Sequence, residues 1–181
     1  IKLKVERYIG GLSQLKKIDN PIKLSANESA LGPSPKAIMA FENYKDKIFK
    51  YPESDSNSLR EVLSKEFNIN PKRIICGSGS DQIFDLTCRL FLEPGDEVIV
   101  TEFGFIMYRI YASLHKAKVV LAKEKNFKAS VDEILNKVTN KTKIVFIANP
   151  NNPTGTYLST NEMLNLRKKL TSNILMVVDD A

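Results

Sequence analysis

The sequence has no Trp, a single His and two Cys. It also lacks long apolar runs, and each scarcity closes a class of function. The longest uninterrupted apolar stretches, 144–148 and 174–178, fall far short of the roughly 20 residues a membrane-spanning helix needs. Two Cys cannot make a disulfide framework, and with one His they make a poor start for a zinc site. The N-terminal Ile1-Lys2-Leu3-Lys4-Val5-Glu6-Arg7-Tyr8 has no apolar core of the secretory kind. A reducing, cytoplasmic setting is expected. No G-x-x-x-x-G-K-[ST] occurs, which excludes a Walker-type NTPase. The net charge of +6 is mostly Lys scattered along the chain, without the clustered, aromatic-interleaved face of a nucleic-acid site. What is present is ordinary: 27% charged residues, eight Gly and eight Pro in 181 residues, enough for one globular domain. The missing initiator Met and the last residues, Asp179-Asp180-Ala181, raise the expectation of a piece cut from a longer chain.

Residues 1–34 carry Gly and Pro breakers and are read as an N-terminal arm. From Pro35 a rhythm begins, and 35–181 is read as one larger domain. Helices are predicted over 35–44, 54–67, 81–92, 105–116, 131–138 and 159–170. Strands are predicted over 73–76, 97–101, 118–122, 143–148 and 173–179. Alternation of this kind implies an α/β fold, a three-layer α/β/α arrangement around a mostly parallel sheet. The runs at 98–100, 144–148 and 174–178 are apolar throughout, as expected of a sheet covered on both faces. Ligands then bind outside the carboxyl ends of the strands, so the residues after each strand matter most.

After 73–76 come Gly77-Ser78-Gly79-Ser80-Asp81-Gln82, a strand-to-helix turn suited to phosphate. Asp81 is expected to cap the helix through its side chain while its N–H faces the anion. The third Gly of a dinucleotide fingerprint is missing, and a plain Ser/Gly turn is the alternative. After 97–101 comes Phe105, able to stack on a flat heterocycle or simply to pack in a core. After 143–148, Asn149-Pro150-Asn151-Asn152-Pro153-Thr154-Gly155 makes a stiff loop that aims amide side chains. Asp179 follows Val177 and Val178, so it is expected to be largely desolvated and to need a donor or cationic partner, a structural ion pair being the alternative. One strand–helix–strand unit separates Asn152 from Asp179, and neighbouring parallel strands lie about 4.8 Å apart, so both should reach one place. Phosphate donors, a stacking ring, an amide and a carboxylate on one edge suit pyridoxal 5'-phosphate (PLP).

Asn149 to Gly155 followed by Val177-Val178-Asp179-Asp180-Ala181 resembles the fold-type I PLP-dependent aminotransferases. Leu24-Ser25-Ala26-Asn27-Glu28, Tyr51-Pro52, the turn at 77–82, and Phe105 with Tyr108 resemble, within that class, the histidinol-phosphate aminotransferase family. Aromatic amino-acid aminotransferases and a threonine-phosphate decarboxylase share much of this pattern. The resemblance implies a role for each residue. Asp179 pairs with the pyridine nitrogen, and Asn152 donates to the ring hydroxyl oxygen. Backbone N–H groups of Ser80, Asp81 and Gln82 hold the phosphate, and Phe105 stacks on the ring. Tyr51 reaches the partner's cofactor or substrate across a homodimer interface, and Asn27 lines the substrate pocket. It also implies that the Schiff-base Lys, a Tyr, two Arg and a small domain lie beyond residue 181. This piece alone is therefore expected to bind PLP weakly and to turn nothing over. A nucleotide-binding dehydrogenase domain and a basic binding module are the readings from other classes. His115 reads as a helix C-terminal contact, and Cys76 and Cys88 as small buried apolar residues.

Overall fold

The computed structural model describes residues 5–10, 22, 24 and 26–181. Two compact units are present: Gly77–Ala181 with the N-terminal residues through Tyr8, and Ile9–Cys76.

In the Ile9–Cys76 unit, helix α1 spans Pro35–Tyr44. The Ser34 hydroxyl accepts from the Ala37 N–H, and Pro35 opens the first turn with its φ already set. Helix α2 spans Asn57–Phe67, starting three residues later than the apolar spacing predicts. The reason is local: the Glu53 carboxylate takes both the N–H and the hydroxyl of Ser58, at 2.8 and 2.7 Å, and holds the preceding residues in a turn. Asn68, with φ 51°, closes the helix in the left-handed conformation an Asn tolerates. Neither helix buries a residue within this unit. The strand predicted at 73–76 does not form. Ile74 has extended angles, φ −108° and ψ 127°, but a short 3-10 turn at Pro71–Arg73 precedes it and no strand pairs with it. Cys76 is half-buried rather than buried.

The other unit is built on a four-stranded parallel sheet in the order β2-β1-β5-β6. Its strands are β1 (Glu97–Thr101), β2 (Lys118–Ala122), β5 (Thr142–Ala148) and β6 (Leu175–Asp179). Helix α3 (Gly79–Phe91) precedes β1, α4 (Ile106–Leu114) links β1 to β2, and α6 (Thr160–Lys169) links β5 to β6. Between β2 and β5 lie a small antiparallel hairpin, β3 (Glu124–Lys125) with β4 (Lys128–Ala129), and the short helix α5 (Val131–Leu135). The hairpin is absent from the sequence reading: its strands are two residues long, too short for any period to show.

Alternation along the central strands fills two cores. Val98, Val100, Ile144 and Phe146 face α3 and α4 through Phe84, Cys88, Tyr108 and Ala112. Ile99, Val145 and Ile147 face α5 and α6 through Ile134, Leu166 and Leu170. Helices thus cover both faces, giving the expected three layers and explaining the apolar runs at 98–100 in β1 and 144–148 in β5. At the opposite sheet edge the buried Glu97 carboxylate takes the Thr139 hydroxyl at 2.6 Å and the Lys118 ammonium at 2.9 Å, which hold its pKa below the usual range. No helix among the described residues is long and apolar enough to cross a membrane.

Helix α6 begins with a reciprocal cap. The Ser159 hydroxyl accepts from the Glu162 N–H, and the Glu162 carboxylate accepts from the Ser159 N–H at 2.7 Å. That N–H, then the Lys128 ammonium at 2.9 Å, then the Ser159 hydroxyl hold the Glu162 pKa down at about 2. A depressed carboxylate pKa adds stability above the unfolded value, and this stability is lost as pH falls toward the folded one. Glu162→Gln is expected to flatten the acid limb of stability between about pH 4.5 and pH 2 and to leave its shape near neutrality unchanged. Acid titrations of both proteins followed by circular dichroism check this; superimposable acid limbs would contradict it.

Candidate active site

Strand order defines where the site lies. From β1 the chain steps outward to β2, then returns to place β5 on the other side of β1. The carboxyl ends of β1 and β5 therefore flank a topological switch point, where open α/β sheets bind ligands. Glu102 to Phe105 leave one of these ends, and Asn149 to Gly155 leave the other.

The 149–155 loop divides labour among its three Asn. Asn149 is committed to the backbone: its amide nitrogen donates to the Leu158 carbonyl at 3.1 Å and its amide oxygen accepts the Leu158 N–H at 2.7 Å. Asn151 is buried and donates to the Phe103 carbonyl at 3.3 Å and the Thr154 hydroxyl at 2.8 Å. Asn152 is exposed, and its side chain has no hydrogen-bond partner among the described residues. Two amides fix the loop, and the third has no partner among the described residues. Both X-Pro bonds of the loop, Asn149-Pro150 and Asn152-Pro153, are cis.

Asp179 ends β6 beside this loop. It pairs in register with Ala148, and its carbonyl accepts the Asn149 N–H at 2.8 Å. The expectation of a largely desolvated carboxylate is corrected: Asp179 is half-buried, and Val178 before it is 45% exposed. β6 is the outer strand of the described sheet, so only one flank is covered. The required donor is Tyr108, whose hydroxyl meets a carboxylate oxygen of Asp179 at 2.6 Å.

Tyr108 lies on α4, one turn beyond Phe105. Its ring stacks on Phe146 with centroids 5.0 Å apart and takes the edge of Phe84, also at 5.0 Å. Burial first, then the hydrogen bond to Asp179 and the carboxylate's charge, push the phenol pKa well up. Tyr108 is thus held neutral, as a donor that orients Asp179. Phe105 is half-buried and packs edge-on against Tyr108 at 5.7 Å and Tyr8 at 6.4 Å.

Phe84 also connects this group to the first turn of α3, since it stands four residues after Ser80 on the same helix. There Gly79 has φ +73°, a conformation natural to Gly, with no atom within 4 Å of where a side chain would begin. The N–H groups of Ser80 and Asp81 have no acceptor among the described residues. At a helix N-terminus they form an anion-binding arrangement. The cap expected of Asp81 comes instead from Gln82, whose side-chain oxygen accepts the Ser78 N–H at 2.6 Å. His115 ends α4 as expected, and its Nε2 contacts the Asp85 carboxylate of α3 at 2.8 Å.

Tyr51 and Asn27 belong to the Ile9–Cys76 unit. Tyr51 is fully exposed, and Asn27 is exposed with φ 52°. Ser25, within the motif that contains Asn27, lies outside the described residues. Sequence reading missed Tyr108 as the partner of Asp179, because the two are 71 residues apart. The available signal was its position one turn after Phe105, on the face of α4 that carries the core.

An acid at a strand end, a free amide on a braced loop, a ring and a bare helix N-terminus thus belong to one α/β unit. Residues 19–181 match the aminotransferase class I and II family, and the chain belongs to that family. It is 58% identical to the histidinol-phosphate aminotransferase of Pelagibacter ubique over 99% of its own length and 50% of that protein's. It is 44% identical to that of Paramagnetospirillum magneticum, over 98% of its own length and 49% of the relative's. The crystal structure of histidinol-phosphate aminotransferase from Sinorhizobium meliloti, in complex with pyridoxal-5'-phosphate, superposes with a TM-score of 0.83. That match is 25% identical and covers 86% of this chain and 43% of the other. The chain spans about half the length of the curated relatives it matches.

Proposed function

We propose that the protein to which this chain belongs catalyses PLP-dependent transamination. The reaction converts histidinol phosphate and 2-oxoglutarate to imidazole acetol phosphate and glutamate in histidine biosynthesis. PLP supplies an electron-withdrawing ring that stabilises negative charge developing at the substrate's α-carbon. The observation that carries the reading is Asp179 at the end of β6, held by Tyr108 beside the uncommitted Asn152. An anion there favours the protonated ring nitrogen. Asn152 is free to donate to the ring oxygen, Phe105 to stack, and Ser80 and Asp81 to hold the phosphate. The names of the relatives support the choice of substrate.

The whole protein, supplied with histidinol phosphate and 2-oxoglutarate, should form glutamate. Faster turnover of an aromatic amino acid, or release of carbon dioxide from threonine phosphate, would move the protein to one of those neighbouring activities. The anion role has its own check. Two charge-assisted hydrogen bonds at about 1.5–3 kcal/mol each make PLP bind at least about 100-fold more tightly than pyridoxal. Inorganic phosphate should compete with PLP and leave pyridoxal untouched. Equal affinity for the two ligands would remove the phosphate role of α3.

A cytoplasmic homodimer belongs to the same proposal, with the fully exposed Tyr51 reaching the partner's site and Asn27 contributing to the substrate pocket. Sedimentation equilibrium of the whole protein tests the dimer, and a monomer would refute it.

A further inference from the structure

We propose that the β3–β4 hairpin is a positioning device that fixes the turn carrying Phe105 against the loop carrying Asn152, with Phe127, Thr156 and Asn151 as its positioning residues. The inference rests on the functional reading above only in taking those two segments as cofactor-facing.

A closed circuit of contacts carries it. The Asn151 amide donates to the Phe103 carbonyl at 3.3 Å. The Phe103 ring lies 5.3 Å from the Phe127 ring. The Phe127 carbonyl accepts the Thr156 hydroxyl at 2.7 Å. The Thr156 and Thr154 hydroxyls are 2.9 Å apart, and Thr154 receives Asn151 at 2.8 Å. The hairpin has a second hold on the same turn, because Glu124 accepts the Phe103 N–H at 3.2 Å. Phe103 is thus gripped through its N–H, its carbonyl and its ring, two residues before Phe105.

Backbone strain marks the hairpin as built for this purpose. Asn126 and Phe127 have φ 53° and 60°. Asn enters that region readily, whereas a bulky aromatic there is an outlier that Gly would relieve. Phe127 is 62% exposed, so core burial does not account for an aromatic in that strained conformation. Its ring and carbonyl are what the strained turn delivers to Phe103 and Thr156. Asn151, 6% exposed and with its amide oxygen unpartnered among the described residues, enters the circuit through its donor group alone.

The test compares Thr156→Val with Thr156→Ser in the whole protein. Thr156→Val should weaken PLP binding about 5- to 20-fold, the scale of one lost hydrogen bond. It should alter the visible circular dichroism of the bound cofactor and speed amide exchange at 101–106 as well as at 124–129. Thr156→Ser, which keeps the hydroxyl, should restore all three. Phe127→Asn, at an exposed position and tolerant of the same backbone, should reproduce the Thr156→Val pattern if that variant folds poorly. Wild-type affinity and dichroism in both variants, or exchange changes confined to 154–157, would overturn the proposal. A wild-type protein that binds no PLP would sink the functional reading instead, because the exchange pattern is read without cofactor.

Discussion

Asp179→Ala in the whole protein is expected to lower turnover between about 10- and 1000-fold. An opposite charge at close range shifts a pKa by about 1–3 units, each worth about 1.36 kcal/mol. Removing the carboxylate withdraws that bias toward the protonated ring nitrogen, and every such increment in the barrier costs about tenfold in rate. In the proposed reading the phosphate contacts come from α3, so PLP affinity should fall much less than turnover. The fold should persist, because loss of the half-buried carboxylate at an outer strand leaves only the Tyr108 hydroxyl and the exposed Ala181 N–H without their acceptor. Steady-state kinetics beside a PLP titration provide the check. Near-normal turnover would remove Asp179 from the assigned role.

Phe146→Ala should destabilise the sheet unit by about 3–5 kcal/mol, the range for an aromatic deleted from a packed core. Phe146 is 1% exposed at the middle of β5, stacked on Tyr108 with an interplanar angle of 4° and edge-on to Phe84 at 5.9 Å. With a urea slope of about 1–3 kcal/mol per molar, the midpoint should fall by at least about 1 M. The chain lacks Trp, so far-UV circular dichroism is the appropriate signal. A midpoint shift within error of zero would mean that the Phe84–Tyr108–Phe146 cluster contributes little. The deletion also frees one face of Tyr108, so the orientation of Asp179 should loosen with it.

Where a residue's role depended on near neighbours, the sequence was readable. β1 and β5 are covered on both faces, and their apolar runs at 98–100 and 144–148 say so. Helix α6 declares its start through Ser159 and Glu162, three residues apart. Where a role depended on distant partners, it was not. Ile74 has the angles of a strand and no strand beside it, and pairing is what the local pattern cannot encode. The hairpin turns through Asn126 and Phe127 without the Gly that marks such turns. Local pattern does not distinguish Asn149, Asn151 and Asn152; the resemblance singled out Asn152, and the hydrogen bonds show that the other two are committed. The burial expected for Asp179 failed because apolar predecessors report on a strand, not on its place within a sheet.

Strand order also sets a timetable for the nascent chain. β1 meets β2 soon after both are made, but its other flank waits for β5, which begins at Thr142. At about 5–20 residues per second, the 40 residues between them take about 2–8 s to synthesise. During that interval an apolar strand presents an open edge, a template for mispairing with other chains. The interior position that later protects β1 thus makes it the segment most in need of shielding while the ribosome is still at work.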